Sequence, residues 1–281
     1  MSKKPIFVVL LMATLPGMLV AAFNFQEAKA IERTAAIIDP LSIDWPNPDF
    51  NETGIVWNIL ESAGFNVSYH GYNETDVAFF KKLAELGYEV IVLRTHTARR
   101  AYEPNVVDFV TSEEYNSSKY IYEQTNDWLT KVQYSPQRGE YFAFTPKFIE
   151  NLHNSFPGSV IVVMGCWSLF NRTYNEMAIS FINKGARAYI GWTELVAFEH
   201  SDNQTIRFLQ NFVVENETLS EAVNGTDPDP FYGGEMSYFP LSAGDLVIPE
   251  FPSFLILLLF MIATLPVVIA YSRKRSESFR A

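Results

Sequence analysis

Two stretches decide how this chain is read: Val90-Ile91-Val92-Leu93-Arg94-Thr95-His96 and, seventy residues later, Val160-Ile161-Val162-Val163-Met164-Gly165-Cys166. Each opens with four aliphatic residues and no polar interruption. A strand with one wet face alternates apolar and polar residues, so an unbroken run belongs to a strand covered on both sides, as in a parallel sheet between helical layers. Short runs of the same kind recur at Ala35 to Ile38, Phe65 to Tyr69 and Ala188 to Ile190. Helical patterns lie between them. Ile55, Ile59 and Leu60 share one face of a first helix, and Val77, Phe80, Leu83 and Ala84 one face of a second. Glycine then ends a helix before a strand at Ala63-Gly64-Phe65, Leu86-Gly87-Tyr88 and Lys184-Gly185-Ala186, where its freedom to turn left-handed closes the last turn. Further helices are expected from a Thr145 cap with Pro146 in the first turn to Asn154, over Asn175 to Lys184, and from the capping-box spacing of Ser201 and Gln204 to Glu215. The expected fold is α/β, a mainly parallel sheet flanked by helices.

In such a sheet, functional groups gather beyond the carboxyl ends of the strands. His96 and Cys166 each stand at the end of one of the two opening stretches. If those strands are neighbours, both side chains emerge at one edge. A thiol is about two pKa units too high to be much ionised at neutral pH, and a nearby imidazole can take its proton so that sulfur attacks a carbonyl. Gly165 lets the backbone turn tightly beside Cys166, and backbone N–H groups there could stabilise an oxyanion. The residues taken singly admit plainer readings: a free cysteine as a small buried hydrophobe, and a strand-end histidine bonded to backbone. Trp192, Glu194, His200 and Asp202 follow the strand Ala188 to Ile190 and are possible cleft residues, with Glu199 beside them; a helix cap is the competing reading of Asp202. His70 and His153 fall in expected connections with no nameable partner. Arg99-Arg100 reads as a solvated basic step, a self-processing point being the alternative in a peptidase with an arginine preference. The four histidines show no metal-ligand spacing, so neither metal nor cofactor is expected.

A hydrophobic strand ending in His, followed by a hydrophobic strand ending in Gly-Cys, resembles the caspase-like cysteine peptidases of clan CD, including clostripain, gingipains and CHAT domains. The stretch Gly185-Ala186-Arg187-Ala188-Tyr189-Ile190-Gly191-Trp192 and the later Leu219-Ser220-Glu221-Ala222-Val223 look like the segment after the cysteine in that family, and the resemblance spans Thr34 to Val223. It implies Cys166 as nucleophile and His96 as acid/base, with Gly165 and Thr97 at the oxyanion site. The family's histidine is normally followed by glycine, whereas Thr97 and Ala98 follow His96. No acidic residue directly precedes Cys166 of the kind that marks basic-residue specificity in some relatives.

The ends place this domain outside a membrane. Lys3 and Lys4, the apolar stretch Ile6 to Ala22 and Ala28-Lys29-Ala30 have the layout of a secretory signal over residues 1–30, a retained amino-terminal anchor being the alternative. Phe254 to Tyr271 carries no charge, and at 1.5 Å per residue it reaches about 27 Å, the thickness of a bilayer's hydrocarbon. Arg273, Lys274 and Arg275 follow at once, so 254–271 is expected as a transmembrane helix and 272–281 as a cytoplasmic tail. Pro249-Glu250-Phe251-Pro252 with this helix and tail resembles the PEF-type sorting signals of archaeal surface proteins, which implies a sortase-like processing enzyme as a partner beside the lipid bilayer. Residues 31–253 hold 14 Lys and Arg against 30 Asp and Glu, a net of −16, which repels phosphate backbones and excludes nucleic acid as a partner. Glycosylation sequons stand at Asn51, Asn66, Asn73, Asn116, Asn171, Asn203, Asn216 and Asn224. Within the α/β domain of residues 31–226, the aromatic-rich stretch 98–157 breaks the strand-helix rhythm and reads as an insert. Asp227-Pro228-Asp229-Pro230 and Gly233-Gly234 mark 227–253 as a stalk. Three functions compete: a surface-anchored cysteine endopeptidase acting on peptide or protein substrates, an inactive caspase-like binding or surface-layer module using the aromatic insert, and a solute receptor.

Overall fold

A computed structural model describes residues 33–103, 105–133, 139–248 and 262–266. The chain runs β1 (Thr34–Asp39), α1 (Ile55–Ser62), β2 (Asn66–Gly71), α2 (Val77–Lys82), β3 (Val90–Leu93), β4 (Thr97–Arg99), β5 (Val107–Glu114), α3 (Ile121–Thr125), β6 (Leu129–Val132), β7 (Tyr141–Phe144), α4 (Pro146–Glu150), β8 (Val160–Val163), α5 (Glu176–Asn183), β9 (Ala188–Trp192), α6 (Phe198–Leu209), α7 (Leu219–Asn224) and β10 (Met236–Phe239). Six strands form the main sheet in the order β10-β9-β8-β3-β1-β2. All its pairings are parallel except β10 with β9. It is a mixed α/β fold with a largely parallel sheet flanked by helices.

The unbroken aliphatic runs are explained by what covers them. Val90, Val92, Val160, Val162, Ala188 and Ile190 point into one core with Val56 and Leu60 of α1, Phe208 of α6 and Leu219 of α7. Ile91, Leu93, Ile161, Val163 and Tyr189 point the other way, onto Phe80 of α2, Phe148 of α4 and Phe181 of α5. Each large apolar side chain so buried contributes about 1.5–3 kcal/mol, which neither face could gain if it were wet. The caps at Asp76, Thr145, Asn175 and Thr218 each accept a backbone N–H of the first turn. The helix begun at Thr145 stops at Glu150, short of the expected Asn154.

Three expectations are corrected. Stretch 98–157 contains a second, antiparallel sheet in the order β4-β5-β7-β6. Its strands were hidden because its inner residues Val107, Phe109, Phe142 and Phe144 face the main core while Tyr141, Ala143 and Val110 are buried in a smaller cluster of their own, so no wet face produces an alternation. Phe109, Tyr141, Phe142 and Phe144 of this stretch are therefore core, whereas Tyr102 and Tyr122 are exposed. Residues 227–248 are not a stalk: Met236 to Phe239 pair with Trp192 to Tyr189, Asp229 and Ile248 are buried, and Leu219 N–H donates to the Leu246 carbonyl at 2.7 Å. Proline and glycine here shape tight turns within a domain. Third, α6 starts at Phe198 with Ala197 as cap, so Ser201 and Asp202 lie inside it and form no capping box.

The segments read as a signal (1–30) and a sorting signal (249–252) lie outside the described residues, as does 254–271 apart from the helical residues 262–266. Among the described residues no helix is long and apolar enough to cross a membrane.

Candidate functional site

The registers Leu93↔Val163 and Ile38↔Leu93 make β3 the central neighbour of both β1 and β8. The ladder continues past the strand ends, with Met164 N–H on the Leu93 carbonyl at 2.9 Å and Arg94 N–H on that of Ile38 at 2.9 Å. His96 and Cys166 each lie three residues beyond the paired Leu93 and Val163. Both therefore leave adjoining strands at the carboxyl edge.

The two backbones then touch. A Cβ on Gly165 would lie 2.2 Å from Thr97 Cγ2 and 2.9 Å from the Thr95 carbonyl oxygen, so only glycine lets the chain after β8 pass the chain after β3. The Thr97 hydroxyl donates to the Cys166 carbonyl. Thr97 thus ties the two halves of the site together. After Cys166 the chain turns sharply: Trp167 has φ +56°, a left-handed conformation uncommon for a bulky side chain. Its N–H donates to the Glu194 carbonyl at 2.9 Å and its indole N–H to the Glu194 carboxylate at 3.0 Å.

One loop borders both candidate residues. The Cys166 thiol donates to the Val196 carbonyl at 3.6 Å, and the His96 ring meets Phe198 edge-on with centroids 5.2 Å apart. Trp45, from the connection after β1, meets His96 edge-on at 4.9 Å and stacks on Phe198 at 4.7 Å. Burial, reinforced by the positive charge of Arg94, lowers His96 to about 4. Burial also pushes the Cys166 thiol up. At neutral pH the site therefore holds a neutral imidazole, whose protonated form is disfavoured by burial and by Arg94, and a thiol still carrying its proton.

Beneath them lies a buried ion network that residue patterns did not announce. Arg94 is 3% exposed in its side chain and binds Asp39, 1% exposed, at 3.2 Å and Asp202, 7% exposed, at 2.8 Å. Its guanidinium also donates to the Trp45 carbonyl at 2.9 Å, and Asn47 donates to Asp202 at 2.8 Å. These bonds seat the Trp45 connection against α6, beside the imidazole. The signal was a charged residue directly after an all-aliphatic strand, since a charge emerging there beside the core needs a partner.

Of the expected cleft residues, Asp202 belongs to this network, as its place inside α6 dictates. Trp192 is fully buried in the core because it is the last residue of β9 and is paired with Met236; it lines no cleft. Glu194 is exposed and holds Trp167, and His200 bonds the Asp227 carbonyl at 2.9 Å. His70 lies in β2, with its ring nitrogens 2.8 Å from Glu74 and 2.9 Å from Tyr88. Arg100 is not a solvated step, since it is bonded to Asp108 at 2.8 Å and Asp127 at 2.8 Å, while Arg99 lies 3.5 Å above the Phe170 ring. Among the sequons, Asn66, Asn73, Asn116, Asn203 and Asn224 are exposed and Asn51, Asn171 and Asn216 half-buried.

No family model matches this chain and no curated protein matches it. Among solved structures, the protein GSU0716 from Geobacter sulfurreducens is similar with a TM-score of 0.37 and 12% identity, over 77% of this chain and 97% of that one. A likeness that slight carries no argument about fold or function.

Proposed function

We propose that the chain is a caspase-like cysteine endopeptidase held at the outer face of a membrane by its carboxy-terminal apolar segment, with Cys166 as nucleophile and His96 as general base. The observation that carries this reading is the meeting of the two strand extensions: Leu93 and Val163 are in register, and three residues on, the backbones bearing His96 and Cys166 are joined by the Thr97 hydroxyl. The sulfur attacks a substrate carbonyl as His96 takes its proton. The protonated imidazole then gives that proton to the leaving amine, and water releases the acyl group from sulfur. Because Trp167 N–H is engaged by Glu194, the oxyanion falls to the backbone N–H groups of Thr97 and Cys166. Export, insertion of the carboxy-terminal helix in a lipid bilayer and its processing by a sortase-like enzyme belong to the same proposal and rest on the sequence alone.

A second reading, an inactive binding or surface-layer module of the same fold, is favoured by one observation. The thiol is pushed up by burial and already donates to a backbone carbonyl. Hydrolysis of a peptide library by the protein, with Cys166→Ala as control, separates the two. Cleavage lost in the control supports the peptidase, and no cleavage by either protein, even once the loop over Cys166 is released, supports the module.

A further inference from the structure

The loop that borders both His96 and Cys166 is itself held from outside. Asp229 is 2% exposed, and its carboxylate accepts N–H bonds from Ala197 at 2.8 Å, Phe231 at 2.8 Å and Tyr232 at 2.7 Å. Burial opposes its charge, but the bonds from Ala197, Tyr232 and Phe231 outweigh that and hold the carboxyl below its ordinary value. Around it, Asp227–Glu235 is strapped along Thr193–Ala197. Thr193 N–H donates to the Glu235 carbonyl at 3.0 Å, and Glu235 N–H returns a bond to the Thr193 hydroxyl at 3.0 Å. Gly234 lies so close that a Cβ there would stand 2.4 Å from the Leu195 carbonyl oxygen. At the other end of the strap, Asp227 receives Arg207 at 2.7 Å.

One peptide group is thus gripped on both sides. The Val196 carbonyl takes the Cys166 thiol at 3.6 Å, and the Ala197 N–H of the same peptide goes to Asp229 at 2.8 Å. A peptide unit is planar and stiff, so the carboxylate on one side fixes where the carbonyl stands on the other. We infer that Asp229 is a positioning residue that latches the Thr193–Phe198 loop over Cys166, and that the sulfur becomes available to a substrate carbonyl when the Asp227–Glu235 strap releases that loop. The consequence for catalysis rests on the peptidase reading; the latch does not.

The test uses the full-length chain in detergent micelles, where the single cysteine makes the readout unambiguous. Iodoacetamide labelling of Cys166 and amide hydrogen exchange are followed in the wild type, in Asp229→Asn, which removes the charged acceptor, and in Gly234→Ala, which pushes the same loop at Leu195 and leaves the carboxylate intact. Labelling is expected to be slow in the wild type and at least about tenfold faster in both variants. Exchange should quicken over Thr193–Phe198 while β3 and β8 stay protected, a local signature that general loosening does not give. Unchanged labelling in both variants overturns the latch, and so does faster labelling accompanied by exchange throughout β3 and β8. Faster labelling with no gain of peptide cleavage supports the latch and counts against the peptidase.

Discussion

Replacing Arg94 by leucine removes the guanidinium that Asp39 and Asp202 share and leaves two carboxylates in a place water hardly reaches. Breaking a buried pair by deleting one partner costs about 3–5 kcal/mol. The remaining donors, Leu41 N–H on Asp39 at 3.0 Å and Asn47 on Asp202 at 2.8 Å, keep the loss within that range. For a domain of this size each kcal/mol moves the thermal midpoint by about 2–4 °C, so Arg94→Leu should melt about 6–20 °C lower at pH 7.5. The deficit should shrink in acid. Burial already raises Asp39 to about 6 even with Arg94 beside it. Without the cation it takes a proton more readily still, and a neutral carboxyl is less costly to bury. Urea titrations at pH 7.5 and pH 5 measure both effects. A deficit under about 1 kcal/mol that is equal at the two pH values would refute the account, because it would mean that the carboxylates are solvated.

His96 gives a second pH signature. Unfolded, it takes a proton near 6.5, and folded near 4, so the unfolded chain binds more protons between these values. Its contribution, up to about 3 kcal/mol, is present above pH 6.5 and is lost as the pH falls through 4; His96→Gln should flatten the stability profile over that window by this amount, and equal profiles would contradict it. Gly165→Ala should destabilise by about 1–3 kcal/mol through overpacking against Thr97. Adding Thr97→Gly should recover part of that loss in a double-mutant cycle, and strictly additive losses would exclude the crossing of the two chains. A fragment ending at residue 226 should fail to give cooperative melting because it lacks β10, Asp229 and Ile248, whereas one ending at 248 should melt cooperatively; the reverse would restore the stalk.

The layered α/β plan was legible because burial on both faces leaves an unmistakable mark, aliphatic runs such as Val90 to Leu93 with no polar partner phase. The cap at Thr145 was legible because capping is local chemistry. What stayed hidden depends on distant neighbours. The small sheet from Thr97 to Phe144 buries both faces of β5 and β7 within short strands, and so shows neither the wet-faced alternation nor the helical spacing that marks elements in a sequence. The turn residues Pro228, Pro230 and Gly233 look alike in a linker and in a strap, and only Asp229, buried with three N–H donors, tells them apart. In the candidate site, His96, Cys166 and Gly165 could be picked out from their positions at strand ends, while Thr97 was pointed to only by the resemblance. Trp45 and Phe198, which wall the imidazole, could not, since one comes from a connection and the other from the start of α6, and their placement is set by Arg94 bonding to residues 55 and 108 positions away.

Whether His96 acts on Cys166 is tested most directly by inactivation with a peptidyl vinyl sulfone library, the adduct located by mass spectrometry and the rate compared between wild type and His96→Ala. General-base assistance is worth about 10²–10⁴-fold. The account predicts an adduct on Cys166 that depends on the peptide sequence of the reagent and forms at least about a hundredfold more slowly in the variant. An adduct that forms at the same rate in both proteins contradicts it, and so does the failure of any adduct to form both in the wild type and in Asp229→Asn, where the loop over Cys166 is released.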